Sequence, residues 1–178
     1  MASRPVVRIV GAPEAATIVF LVDAVVVEDD TYMVLGADPV PRETRGAAEE
    51  LLKRARSSIQ PAPGTLVVGG GRPQRLHAIV HDLNEEPSWR EEWVVGAIRE
   101  VFREAEAREL RKIALPLLGS VHGSLAPARF AELFESALAE ASPEHLSEIW
   151  LALPPETVGE IAAALREHGI EVQEEGRA

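Results

Sequence analysis

Apolar residues along the chain alternate between short continuous runs and longer stretches with a helical repeat. The short runs are rich in Val, Ile and Leu and lack a polar alternate position, which is typical of strands covered on both faces. Tyr32–Leu35 and Ile170–Val172 are further candidates for brief extended segments. We predict strands at Pro5–Val10, Thr17–Val27, Gly64–Val68, Leu76–Leu83, Ile113–Leu118 and Glu148–Leu153.

Segments between these strands carry apolar residues at the three- and four-residue spacing of an amphipathic helix. The longest stripe runs from Trp93 to Ala105, and Gly169 is placed to end the last helix. Two proline- and glycine-containing segments, Ala37–Glu43 and Gly69–Pro73, are predicted to be loops. We predict helices at Ala47–Arg56, Glu91–Arg108, Pro127–Glu140 and Glu156–His168.

The alternation of strands and helices predicts the fold class. Strands separated by helices favour a sheet whose strands are mostly parallel and whose faces are covered by helices. We therefore expect a three-layer α/β/α sandwich with a mixed, mainly parallel central sheet. No linker, repeat or low-complexity block divides the chain, so we expect a single domain over residues 1–178, with a core from about 6 to 172.

Composition narrows the classes of function. The net charge of −11 disfavours nucleic-acid binding, whose affinity depends on Lys and Arg neutralising phosphates. The absence of cysteine excludes disulfides, thiolate metal sites and thiol nucleophiles. No signal peptide or membrane-spanning run is visible, which predicts a cytoplasmic protein without a membrane partner. The sequence leaves homo-oligomerisation open.

Three segments, in this order, resemble the macro domain family. Val22–Val27 (VDAVVV) is similar to the buried strand written VDAIVN, which precedes the family's Asn-Ala-Ala-Asn motif. Leu76–His81 (LHAIVH) is similar to a strand written k-x-I-I-H, followed by a tryptophan at Trp89. Ile113–Gly123 (IALPLLGSVHG) is similar to the strand and loop written iafPalGtGiyG. The resemblance covers roughly residues 6 to 172.

The resemblance implies a cleft at the carboxyl ends of the strands that binds ADP-ribose or a related nucleotide. Such crevices are general in open α/β sheets. The chain departs from the family motifs at several places. Val27, Glu28, Asp29 and Asp30 stand where the family has Asn-Ala-Ala-Asn, and the second loop is one glycine shorter. No counterpart of the family's early GDIT aspartate is apparent. Hydrolysis by the family's usual route is therefore not expected.

The glycine-containing loop before the helix at Pro127 is a candidate phosphate site. Glycines allow main-chain N–H groups to turn toward a ligand, and the helix start adds a favourable dipole. Ser124 is a further hydrogen-bond donor, and His122 is a candidate for stacking on a ribose or contacting phosphate. A simple strand-to-helix turn is the alternative. The predicted ligand-binding residues of this loop are Gly119, Ser120, Val121, His122 and Gly123.

The acidic step Glu28–Asp30 is a second candidate at the same edge. Asp29 or Asp30 is expected to face a ribose or base, because carboxylates accept hydrogen bonds from hydroxyl and amino groups. The alternatives are that these carboxylates bind a hard cation, or that they form a solvated turn without a ligand. His77 and His81 are predicted to share one strand face about 13 Å apart, at about 3.3 Å per residue, which is too far for one metal ion. We therefore assign no metal ligand and no cofactor.

Three functions remain as hypotheses. The first is noncovalent binding of ADP-ribose or a related nucleotide. The second is an interaction or structural module that keeps the fold while its pocket is filled, with Tyr32, Met33 and Leu35 as candidate plugs. The third is an ADP-ribosyl or phosphoester hydrolase in which Asp30 or Glu28 serves as general base. No nucleophile–base motif is present, so the catalytic residues stay unassigned, with Asp30 as the first candidate.

Overall fold

The computed structural model describes residues 4–11, 21–36 and 60–175. Within them the chain forms one sheet with helices packed against it. The strands are β1 (Val6–Gly11), β2 (Ala24–Asp30), β3 (Thr65–Val68), β4 (Gln74–His81), β5 (Lys112–Leu115), β6 (Glu148–Leu153) and β7 (Val172–Glu175). The helices are α1 (Glu91–Ala107), α2 (Pro127–Ala141) and α3 (Val158–Glu167), and a short 3₁₀ helix at Pro155–Thr157 precedes α3.

The sheet is mixed and mostly parallel, as predicted. Its order is β3-β4-β2-β5-β6-β1-β7, and β3 alone of these strands runs antiparallel to its neighbour, β4. The parallel strands β2, β4 and β5 therefore all end at one edge of the sheet, where the α/β architecture forms crevices. None of the described helices has the length and apolar character needed to cross a membrane.

The main core lies between one face of the sheet and the buried faces of the three helices. Phe102 of α1 and Phe134 of α2 are fully buried there, and their rings meet edge to face at 5.8 Å. Burying each ring contributes roughly 1.5–3 kcal/mol. On the other face, Val25 and Ala114 are buried beside Trp150. The predicted helix at Ala47–Arg56, the loop at 37–43 and residues 17–20 of the first long strand lie outside the described residues.

Most predicted elements are confirmed within one or two residues. The strand Glu148–Leu153 has the predicted bounds, and the helices at Glu91 and Pro127 begin where expected. Gly69–Pro73 joins β3 to β4, as predicted. Gly169 follows the last helix with φ at +74°, the left-handed conformation that glycine adopts without strain.

Four predictions about extended segments are wrong. Tyr32–Leu35 forms a turn rather than an extended segment, since the Asp30 side chain binds its main-chain N–H groups. The acidic step lies inside β2 rather than after it, because β4 continues to pair with β2 as far as Asp30. β5 ends at Leu115, because Pro116 has no N–H to extend the ladder. The last edge strand is Val172–Glu175, shifted toward the C-terminus from Ile170–Val172, and it pairs with β1.

Candidate functional site

Three strand ends bring a glutamate, a histidine and a loop together at one edge of the sheet. Ala24 and Val26 of β2 belong to the main core, so alternation places Glu28 on the same face at the end of the strand. β4 contains an extra residue at this level, since Asp29 pairs with Ile79 but Asp30 pairs with His81. This bulge turns His81 toward Glu28.

The carboxylate of Glu28 accepts three hydrogen bonds although only 3% of the residue is exposed. Its Oε2 receives the main-chain N–H of Gly119 at 2.8 Å. Its Oε1 receives the main-chain N–H of His122 at 3.0 Å and Nε2 of His81 at 2.6 Å. Because a buried carboxylate is costly without partners, these three donors are what allow Glu28 to occupy this position.

The loop after β5 has a shape that requires its two glycines. Gly119 has φ at +83°, and a Cβ there would lie 2.8 Å from Cγ2 of Val94. A Cβ on Gly123 would lie 2.4 Å from the carbonyl oxygen of Gly119 and 3.0 Å from the ring of Trp89. The loop therefore folds back on itself, and the N–H of Leu125 closes it on the Gly119 carbonyl at 3.1 Å.

The predicted loop residues differ in what they offer a ligand. Ser120 is committed to the loop, because its hydroxyl donates to the carbonyl of Leu125 and its N–H to that of Leu117. The N–H groups of Val121, Gly123 and Ser124 have no acceptor among the residues that the structure describes. Val121 is 51% exposed and Ser124 is also exposed. The loop thus has inner amides bound to Glu28 and outer amides without an acceptor in the described part of the chain.

His122 is exposed at the surface of the loop. Its ring meets the buried ring of His81 edge to face, with centroids 6.2 Å apart. Its main-chain N–H is bound to Glu28, so its imidazole is the part that remains available for a ligand. The sequence-based choice of His122 as a ribose or phosphate contact stays a prediction.

Asp29 points to the opposite face of the sheet and is tied to His77. The Asp29 side chain is fully buried, and its Oδ2 lies 2.9 Å from Nδ1 of His77. Its Oδ1 accepts the N–H groups of Asp30 and Gly36. Burial alone raises the pKa of Asp29, but the hydrogen bonds from His77, Gly36 and Asp30 outweigh it and hold the pKa below its ordinary value of 3.8.

Asp30 organises the turn that follows β2. Its Oδ1 accepts the N–H of Tyr32 at 2.7 Å, and its Oδ2 accepts those of Val34 and Leu35 at 3.0 and 2.8 Å. Asp30 is fully buried. Contact of Asp29 or Asp30 with a ribose would therefore require exchange of bonds that these carboxylates already make.

His77 and His81 do not share a strand face, contrary to the sequence prediction. His77 binds Asp29 on one face, and His81 binds Glu28 on the other. The β4 bulge accounts for the error, because an extra residue reverses the alternation between the two histidines. His81 is 1% exposed and is a hydrogen-bonded histidine of the core.

The two ring nitrogens of His81 face different partners. Nε2 faces the Glu28 carboxylate and therefore carries a proton, and Nδ1 lies 3.3 Å from the hydroxyl of Ser88. Trp89 stands before helix α1, where it forms an isolated bridge with His81 and packs on Gly123.

The chain was compared with known families, curated proteins and solved structures. No protein-family model matches it, and no curated protein sequence is significantly similar. A mutant of the Oceanobacillus iheyensis macrodomain superposes with a TM-score of 0.68 at 12% identity, covering 94% of both chains. A second mutant of that protein, solved with ADPR, gives 0.66 at 14% identity, covering 96% of this chain and 97% of the other. The Thermus aquaticus DarG macrodomain gives 0.59 at 22% identity, covering 83% and 98%.

The chain has the macrodomain fold. The agreement extends over nearly the whole of the matched chains, while the identity is low enough that the fold, and not the ligand, is what the likeness establishes. The resemblance found in the sequence motifs is thus confirmed at the level of the fold. Structures with the macrodomain fold include one solved with ADPR and one solved with ADP.

Glu28 is the residue of this site whose central role the sequence analysis did not identify. Its place at the second position of the family's Asn-Ala-Ala-Asn motif was visible, but its partners come from β4 and from the loop after β5. A glutamate at the end of a buried apolar strand was the signal in the sequence. No group of three or more acidic or histidine side chains arranged for a metal ion occurs in the described part of the chain.

Proposed function

We propose that this macrodomain-fold chain binds ADP-ribose or a related nucleotide noncovalently at the carboxyl edge of the sheet. The observation that carries the proposal is the set of outer loop amides on Val121, Gly123 and Ser124, which have no acceptor among the described residues. Main-chain N–H groups in such a loop are good donors to phosphate oxygens. Hydrogen bonds to Glu28 and between Ser120 and Leu125 hold the loop in shape before binding, so little conformational entropy is lost on binding.

The start of helix α2 supports phosphate binding at the same place. Its N-cap is Ala126, which provides no side-chain hydrogen bond, and its first turn contains no acidic residue. The positive end of the helix dipole is therefore not offset by a carboxylate of its own first turn. The solved structures with ADPR and with ADP show that the macrodomain fold accommodates ligands of this class.

A second candidate is a module that keeps the fold and binds no nucleotide. Its supporting observation is that Glu28 accepts hydrogen bonds from the inner loop amides, while Asp29 and Asp30 accept hydrogen bonds from other main-chain N–H groups. Hydrolysis is not proposed. Asp30 and Glu28 are both buried, and every carboxylate oxygen of the two already accepts a hydrogen bond, so neither is placed to activate a water.

Isothermal titration with ADP-ribose, ADP and AMP distinguishes the two candidates. The nucleotide proposal predicts saturable heat with ADP-ribose or ADP and a matching rise in thermal stability. Absence of both signals with all three ligands would favour the non-binding module.

A matched pair of variants locates the interaction in the loop. Ser124→Pro removes one outer N–H, whereas Ser124→Ala removes the hydroxyl and keeps the N–H. Because Gly123 precedes it, the proline is expected to be accommodated. We expect Ser124→Pro to weaken binding about tenfold or more, because one charge-assisted hydrogen bond is lost. Ser124→Ala should bind like the wild type.

A further inference from the structure

The buried carboxylate of Glu28 stands where a loop of this type holds an anion. Main-chain N–H groups of Gly119 and His122, three positions apart, converge on its two oxygens at 2.8 and 3.0 Å. Main-chain N–H groups of a turn that converge on one point form an anion-binding concavity, and the one formed here by Gly119 and His122 is called the nest. In this chain the acceptor comes from the protein itself.

The same two donors cannot serve a ligand while Glu28 holds them. Carboxylate and phosphoryl oxygens accept the same kind of charge-assisted hydrogen bond, so the two groups compete for one set of N–H groups. A phosphoryl group brought to this place would also meet the negative charge of Glu28 inside a buried environment, where like charges repel strongly.

His81 stabilises the Glu28 carboxylate in the nest. The 2.6 Å contact from Nε2 adds a third donor to the carboxylate, and the side chains of both residues are 1% exposed. Ser88 at 3.3 Å and the bridge between His81 and Trp89 hold the imidazole in place. Withdrawal of the carboxylate would leave three donors without an acceptor, two of them buried, which is costly.

We propose that Glu28 is the resident anion of this nest and a specificity-determining residue, which excludes phosphoryl groups from the N–H groups of Gly119 and His122. A phosphorylated ligand is then restricted to the outer amides of the loop. The inference rests on the contacts of Glu28 and holds whether or not the outer amides bind a nucleotide.

The experiment is a titration with inorganic phosphate, followed by the amide signals of ¹⁵N-labelled protein. The variants are Glu28→Ala, which empties the nest, and Glu167→Ala, which removes an equal charge from an exposed position of helix α3. We expect saturable shifts of the Gly119 and His122 amides in Glu28→Ala, with phosphate affinity at those amides raised about tenfold or more. The wild type and Glu167→Ala should show no such shifts at these amides.

A second variant keeps the test decisive if Glu28→Ala does not fold. Glu28→Gln retains the side-chain volume and removes its charge, and phosphate should shift the same two amides, more weakly than in the alanine variant. The proposal is overturned if phosphate shifts both amides in the wild type, or if a folded Glu28 variant leaves both unresponsive. Binding of ADP-ribose to the wild type is read at the amides of Val121, Gly123 and Ser124. Failure of the nucleotide proposal is therefore distinguishable from failure of the proposal for Glu28.

Discussion

Glu28 and His81 form a buried hydrogen bond of 2.6 Å that joins the carboxyl ends of β2 and β4. Glu28 also holds the loop after β5 through the N–H groups of Gly119 and His122. One side chain thereby connects three parts of the chain that are distant in sequence. The shape of the loop, and the set of amides it leaves for a ligand, depend on this side chain.

Removal of the Glu28 carboxylate is expected to destabilise the protein substantially. Glu28→Ala leaves three donors without acceptors, two of them buried, which costs roughly 3 kcal/mol or more in the free energy of unfolding. Urea unfolding followed by circular dichroism measures this quantity. Glu167→Ala, at an exposed helical position, should stay within about 0.5 kcal/mol of the wild type. Equal stability of the two variants would show that Glu28 does not support the loop.

Asp30 is expected to maintain the turn after β2 rather than to act on a ligand. Asp30→Ala removes the acceptor for the N–H groups of Tyr32, Val34 and Leu35. Hydrogen exchange at these three amides should accelerate, because their protection depends on the bonds to Asp30. Exchange at core amides such as Ile113 should change by no more than the global loss of stability allows. Unchanged exchange in the turn would contradict the assignment.

The depressed pKa of Asp29 predicts a pH-dependent contribution to stability. Because its pKa in the folded protein lies below its ordinary value of 3.8, the contribution is fully present above that value. It is lost as the pH falls through the folded-state pKa. Asp29→Asn should therefore be less stable than the wild type at neutral pH, by about 2 kcal/mol. Urea unfolding at decreasing pH should show the difference narrowing below the ordinary pKa, whereas a constant difference would refute the prediction.

Substitution of either loop glycine is expected to destabilise the protein, whereas substitution of a helical glycine is not. Gly119→Ala places a methyl group 2.8 Å from Val94 at a φ of +83°, and a Cβ on Gly123 would lie 2.4 Å from a carbonyl oxygen. Each loop variant should lose roughly 2 kcal/mol or more of unfolding free energy. Gly159→Ala meets no atom within 4 Å in helix α3 and should gain about 0.5–1 kcal/mol. Thermal denaturation of the three variants gives the comparison.

Much of the fold was predictable because its signals are local. Helix α1 follows from an apolar stripe within one segment, and the strand Glu148–Leu153 follows from a single apolar run. The register of β4 was not predictable, since its bulge depends on pairing with β2. Consequently the faces of His77 and His81 were assigned incorrectly.

The position of the candidate loop could be predicted from the sequence, but the state of its amides could not. Glycine spacing and the following helix indicate a strand-to-helix loop that can hold an anion. That Glu28 reaches the inner amides of Gly119 and His122 depends on contacts across about ninety residues of sequence, a separation of 91 and 94 positions. Such long-range contacts cannot be predicted from a local sequence pattern.

The most direct measurement is a titration of ¹⁵N-labelled wild-type protein with ADP-ribose, followed at the loop amides. The nucleotide proposal predicts saturable shifts of the Val121, Gly123 and Ser124 signals, while Gly119 and His122 keep the signals of amides bound to Glu28. Absence of saturable shifts at the three outer amides would contradict it.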